Sequence, residues 1–183
     1  MDEDVFHKHP ISAATAGFIR DAAAVVRPGR LGSHRDPGDA WVEGERGKFW
    51  GRFGSAGLLV FDAGRGVLLQ HRAIWSHHGG TWGLPGGALH HGESPVDGAL
   101  REAYEEAGVP RENVELLFTS VYDVGYWSYT TVAVHVVKPF EPIISDPESL
   151  ALEWVPLDAV DSLELHPGFG TAWPALHDRL RNT

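Results

Sequence analysis

The sequence predicts an α/β chain, an α/β/α sandwich on a mixed β-sheet, and three observations point that way. Short β-rich runs separated by turn residues lie on both sides of one helix that is delimited by its own capping residues. A second helical pattern closes the chain. The 183 residues are enough for one domain with a sizeable core. Strands flanking a helix, with another helix at the end, pack most simply as a sheet covered on both faces.

In chain order, residues 12–26 read as an amphipathic helix, with Ile11, Ala14, Phe18, Ile19, Ala22 and Val25 recurring at threes and fours. Arg27-Pro28-Gly29 stops it, and residues 31–40 form a loop or linker. Trp41-Val42-Glu43 and Lys48-Phe49-Trp50 flank a glycine-bounded turn and predict a short hairpin. Residues 1–50 are thus expected to be an N-terminal extension, helix plus hairpin, with packing, a lid and a homodimer contact all open as roles. From residue 55 the strands begin: 56–61 and 67–72 form a hairpin about Asp62-Ala63-Gly64-Arg65-Gly66. Residues 73–80 are a loop and 81–84 a short strand. After the helix, residues 114–122 and 128–137 are β-rich, residues 139–147 a loop, and residues 150–155 another strand. Pro167-Gly168 precedes a terminal helix over about residues 170–180.

Charge and composition exclude several classes of function. A net charge of −10 with no basic stripe argues against nucleic acid as a partner. The absence of cysteine excludes disulfides, thiolate metal sites and a cysteine nucleophile. No apolar run approaches a membrane span, and the acidic, polar start does not read as a signal peptide, so a cytoplasmic protein is expected.

The helix over residues 95–107 carries the chemistry. Ser94 is an N-cap, Pro95 takes the first helical position, Asp97 is a capping acid and Gly108 ends the helix in the left-handed conformation. Glu102, Glu105 and Glu106 recur at i, i+3 and i+4, where like charges repel. Two of them fall in the last turn, where the helix dipole disfavours acids. Arg101 is the one base in this helix, with Glu105 in reach at i+4, while Ala99, Leu100, Ala103, Tyr104 and Ala107 form the face for packing on a sheet. From the residues alone two readings stay open, a solvated acidic face and a site for a hard divalent cation shared with substrate phosphates.

The stretch from Gly87 through Glu93 to Arg101-Glu102-Ala103-Tyr104-Glu105-Glu106-Ala107-Gly108-Val109 resembles the signature G-x5-E-x7-R-E-U-x-E-E-x-G-U of the Nudix hydrolases, U being aliphatic, with every fixed position filled. The resemblance implies a Nudix domain over residues 51–183 and its α/β/α sandwich. It implies Mg²⁺ or Mn²⁺ as cofactor, held by Glu102, Glu105 and Glu106 with the carbonyl of Gly86. One of those glutamates, Glu102 or Glu105 among them, takes the proton of the attacking water. Arg101 orients a glutamate, and Glu93 holds the loop to the helix. A further carboxylate is expected from the loop ahead of the strand ending in Trp154-Val155, and Glu148 is the candidate, over Glu141 and Glu153. The implied reaction is hydrolysis of a nucleoside diphosphate linked to another moiety. A nucleoside triphosphate is the first expectation; dinucleoside polyphosphates, ADP-ribose and a non-catalytic nucleotide-binding module are the alternatives.

Substrate contacts are expected from Arg72, which ends a strand near the phosphate site, and from Trp82 and Tyr126, which could stack on a base. His77-His78 and His90-His91 invite a zinc reading. Adjacent histidines seldom converge on one metal, and no HxxxH or HExxH spacing is present, so zinc is not expected, and His90 and His91, at variable positions of the signature, are expected to face solvent.

Overall fold

The computed structural model describes residues 36–183, which form one compact unit. The helix expected over residues 12–26 lies outside the described residues. The elements are β1 Trp41–Gly44, β2 Gly47–Trp50, β3 Ser55–Asp62, β4 Gly66–Arg72, β5 Trp82–Gly83, β6 Gly86–Ala88, α1 Pro95–Ala107, β7 Val114–Asp123, β8 Ser128–Val136, β9 Ser149–Val155 and α2 Pro167–Arg181. Two short 3₁₀ turns, Arg111–Asn113 and Leu157–Ser162, lead into β7 and towards α2.

The main sheet runs β5-β4-β3-β8-β7, with β6 on β3 and β9 on β4. It is mixed: β3 and β8 are parallel, Leu58 opposite Val132, and the other pairs are antiparallel. Because successive strand residues face opposite sides, β3 feeds both layers. Ala56, Leu58 and Val60 join Val132 and Val134 against Ala99, Ala103 and Ala107 of α1. Leu59 joins Val67, Leu69 and Ala133 against Phe169, Trp173, Leu176 and Leu180 of α2. The two cores, one on each face, are the α/β/α sandwich expected from the sequence. Ala99, Ala103 and Ala107 are fully buried. Side chains that small let α1 lie close to the strands beneath it, which fixes how deeply its acids reach.

β3 and β4 pair only at Phe61↔Val67 and Asp62↔Gly66, then separate. The gap admits β6 beside the start of β3, with Ala56↔Gly87 and Gly57↔Gly86 in register. That splay delivers the glycine loop to the sheet. Ser94 caps α1 by accepting from Asp97 N, and Gly108 closes it at φ 66 with its N–H on Tyr104 O. Asp97 takes the Ser94 hydroxyl rather than a backbone N–H.

Three local expectations are corrected. Tyr104 is 63% exposed, off the packing face. Arg101 bonds Glu93 and Glu102, not Glu105. The last helix begins at Pro167, because His166 Nδ1 accepts from Gly168 N as an N-cap and proline suits the first turn. The β1–β2 hairpin is present as expected, Trp41 opposite Trp50. It packs on the β7–β8 turn, where Phe49 stacks on Trp127 with centroids 4.3 Å apart. Among the described residues no helix is long and apolar enough to cross a membrane.

Candidate active site

The site lies where β6 meets the inner edge of α1. Glycine at position 87 leaves room for the Glu102 carboxylate: a Cβ there would stand 2.8–2.9 Å from it. Glu102 therefore presses directly on strand backbone. One turn along, Glu106 Oε2 accepts from Gly86 N at 3.0 Å. The two glycines of β6 each receive one acid of the helix.

Arg101 organises the surround. Its Nε and one terminal nitrogen grip both oxygens of Glu93 at 2.8 Å each, the bidentate fork that suits guanidinium and carboxylate. The other terminal nitrogen donates to Glu102 Oε1, and Ala88 O accepts a further bond at 3.1 Å. Glu93 Oε2 also accepts from His90 N at 3.0 Å. Loop, helix and strand are thus locked through one cation, and Glu93 reaches the helix directly through Arg101.

The electrostatics follow from burial. Removal from water raises the pKa of Glu102, and Arg101 pulls against that rise. Glu106 is pushed up to about 8, chiefly by burial and then by the charge of Glu102, with the Gly86 N–H opposing. Glu93 sits below its ordinary value because Arg101 bonds its charged form. Glu105 is exposed, and its charge bears on Glu102. Asp39, just before β1, adds repulsion on Glu102, and Asp146 adds repulsion on Glu106. Five carboxylates thus act on one another around Glu102 and Glu106, and the cations in play are Arg101 and Arg72.

The loop after β8 wraps the end of α1, with Ile143 N on Ala107 O and Ser145 N on Glu106 O, satisfying carbonyls the helix leaves open. Its side chains are arranged differently from the sequence expectation. Asp146, missed by sequence reasoning, is the loop acid whose charge reaches Glu106. Glu148 is exposed; its N–H donates to Asp146 Oδ1 and its carbonyl accepts from Ala73 N, and its carboxylate makes no ion pair among the described residues. Glu141 pairs with Arg65 at 3.4 Å, and Glu153 is exposed on β9 opposite Leu69.

Of the expected substrate contacts, Arg72 stands at the end of β4 with its charge felt by Glu106. Trp82 stacks on His71 with centroids 4.6 Å apart and packs on the α2 core. The Tyr126 hydroxyl is engaged by the hairpin, donating to Gly47 O and accepting from Arg46 N. Its ring helps to line an open cleft with Arg52, Phe53, Asp123 and Trp127. Tyr129 is a second omission. Its hydroxyl lies over Gly57, where a Cβ would collide with it, and Glu106 raises its pKa after burial does. The glycine in an otherwise apolar strand was the signal in the sequence, since such a glycine marks close approach.

The NUDIX domain family model matches residues 51–176. A putative 8-oxo-dGTP diphosphatase 3 from Mycobacterium tuberculosis is 44% identical over 78% of this chain and 70% of its own length. A nucleoside triphosphate pyrophosphatase/Nudix hydrolase fusion protein from Bifidobacterium longum is 46% identical over 79% of this chain, which spans only 32% of that protein. The crystal structure of the Nudix hydrolase RenU from M. smegmatis superposes with a TM-score of 0.72 at 44% identity, covering 79% of this chain and 96% of that one. With the box intact and Glu102 and Glu106 set on the glycine strand, the chain belongs to the Nudix hydrolase family, enzymes acting on pyrophosphate bonds.

Proposed function

We propose that this chain hydrolyses a nucleoside triphosphate to the monophosphate and pyrophosphate in a reaction that depends on Mg²⁺ or Mn²⁺. The observation that carries this reading is the pair Glu102 and Glu106, drawn out of water and set on the backbone of Gly87 and Gly86 amid surplus negative charge. Carboxylate and carbonyl oxygens suit hard cations, so the donor set fits. When bound, such an ion neutralises diphosphate oxygens and lowers the pKa of a water. Glu102, Glu105, Glu106 and the Gly86 carbonyl would hold it. Glu148, exposed and free of ion pairs among the described residues, is proposed to complete the set by turning inward from its loop.

The chain's other residues orient and bind. Arg101 fixes the rotamer of Glu102, and Glu93 fixes Arg101. Glu102 or Glu105 accepts the proton of the attacking water. Arg72, beside the carboxylates, clamps phosphate, as a guanidinium does bidentately. The nucleoside would lie toward the cleft that Tyr126 helps to line. The preference for a triphosphate is supported by the M. tuberculosis relative, which is named for 8-oxo-dGTP.

The test is a panel of canonical nucleoside triphosphates, 8-oxo-dGTP, ADP-ribose and a dinucleoside tetraphosphate, with phosphate, pyrophosphate and mononucleotide followed separately. Pyrophosphate and a nucleoside monophosphate, lost on chelation, are expected. Orthophosphate as the sole inorganic product, or turnover confined to ADP-ribose or the dinucleotide, would overturn the substrate class.

A further inference from the structure

Outside the carboxylate set, three imidazoles meet, two from adjacent residues and one from far along the chain. The β4–β5 loop carries His77 and His78, and His166 is the N-cap of α2. One ring nitrogen from each lies within 4.8 Å of the other two. The ring centroids of His77 and His78 are 4.1 Å apart, and those of His78 and His166 are 4.7 Å apart.

The backbone brings these adjacent histidines together. His78 has φ 55, the one positive φ outside glycine among the described residues. A residue in that left-handed region turns the chain, bringing neighbouring side chains together that extended backbone would send to opposite faces. The turn is held from several sides. Arg72 Nε donates to His77 O at 3.1 Å, Thr81 Oγ1 donates to His78 O, and Gly79 N donates to Ser76 O at 2.9 Å. His166 is brought in by backbone as well: its N–H donates to Trp82 O at 2.7 Å, and Trp82 N donates to Glu164 O at 2.8 Å. The trio is placed chiefly by main-chain bonds, and only the His166 ring has a further hydrogen-bond duty, as the α2 cap.

We propose that His77, His78 and His166 form a second metal site, for a borderline divalent transition ion with Zn²⁺ the best fit, separate from the carboxylate centre. Neutral imidazoles suit Zn²⁺, Ni²⁺ and Cu²⁺. The trio contains no carboxylate and Arg72 stands against His77, so nothing attracts a hard cation by charge, and Mg²⁺ is not a competitor. Three nitrogens on one tetrahedral zinc lie about 3.3 Å apart at the usual bond length. Closing from 4.8 Å asks for side-chain rotation, which the exposed rings of His77 and His78 can supply. The fourth position would be left to water or an anion. His166 has a second duty. Its Nδ1 accepts from Gly168 N at 3.2 Å, so its hydrogen sits on Nε2. Ligation through Nε2 moves that hydrogen to Nδ1 and releases the cap, which holds the affinity below that of a closed structural zinc site.

The test uses the full chain, freed of metal, titrated with Zn²⁺ alone by calorimetry. This site stands independently of the hydrolase reading, so the double variant Glu102→Gln/Glu106→Gln serves as the background that removes the carboxylate centre. One Zn²⁺ per chain, tighter than about 100 µM, is expected in the carboxylate double variant, and millimolar Mg²⁺ should not displace it; in the parent the same site should fill alongside the carboxylate centre. His77→Ala should weaken binding at least tenfold. So should His166→Asn, which keeps an N-cap acceptor and therefore the helix start, with an unchanged melting temperature as its control. His91→Ala, at the other histidine pair, should bind like the parent. Absence of Zn²⁺ uptake in the carboxylate double variant, or undiminished uptake in a folded His166→Asn protein, overturns the site.

Discussion

Replacing Glu106 by Gln in the metal-free protein should stabilise it, and increasingly so as pH rises. Burial and the charge of Glu102 lift the folded-state pKa from 4.5 to about 8. For an acid raised in this way the folded chain binds its proton more tightly than the unfolded one. Stability is therefore present at low pH and lost as pH climbs from about 4.5 to about 8. At 1.36 kcal/mol per unit, the loss between pH 6 and pH 9 is about 3 kcal/mol. For a chain of this size that is roughly 6–12 °C in melting temperature. Gln keeps the shape and an oxygen for Gly86 N but carries no charge. Melting curves in chelator from pH 6 to 9 should show wild type falling toward high pH and Glu106→Gln falling by several degrees less. Millimolar Mg²⁺ or Mn²⁺ should return most of the lost stability to wild type and little to the variant. Parallel curves for the two proteins, with and without metal, would refute the claim that Glu106 is buried charge awaiting a cation.

Two further outcomes follow from the geometry. Gly87→Ala places a methyl 2.8 Å from the Glu102 carboxylate, which Arg101 tethers; turnover should drop about 10–100-fold, as for ångström misplacements elsewhere, with a nearly unchanged melting curve. In the 139–147 region and the residue after it, Glu148→Gln should demand several-fold more metal for half-maximal rate. Glu141→Gln, whose acid is tied to Arg65, and Asp146→Asn should keep wild-type metal dependence; a metal defect in Asp146→Asn with none in Glu148→Gln would move the proposed ligand to Asp146.

What the sequence made legible was local. The caps of α1, Ser94 and Gly108, are read from neighbours within one turn, and they fall where the structure has them. The strand runs were legible because a sheet covered on both faces imposes near-continuous apolar runs, bounded by turn residues, on β3 and β8. The misreadings concern partners supplied by the fold. Helical spacing offered Arg101 the acid at i+4, but the folded-back loop presents Glu93 in a bidentate geometry that a surface pair cannot match. Tyr126 was read for its ring, whereas the β1–β2 hairpin takes its hydroxyl. Spacing rules could not pair Tyr129 with Gly57 or His166 with His78, because the β3–β8 pairing and the His166–Trp82 backbone bond bring them together from far along the chain.

The central claim is that the acids of α1 set on β6 hold the catalytic cation. Steady-state turnover of wild type and Glu106→Gln at saturating Mg²⁺ and substrate, with both shown to be folded, tests it most directly. Loss of a charged ligand with shape retained should lower kcat by about a hundredfold or more. Near wild-type kcat in the folded variant would contradict it.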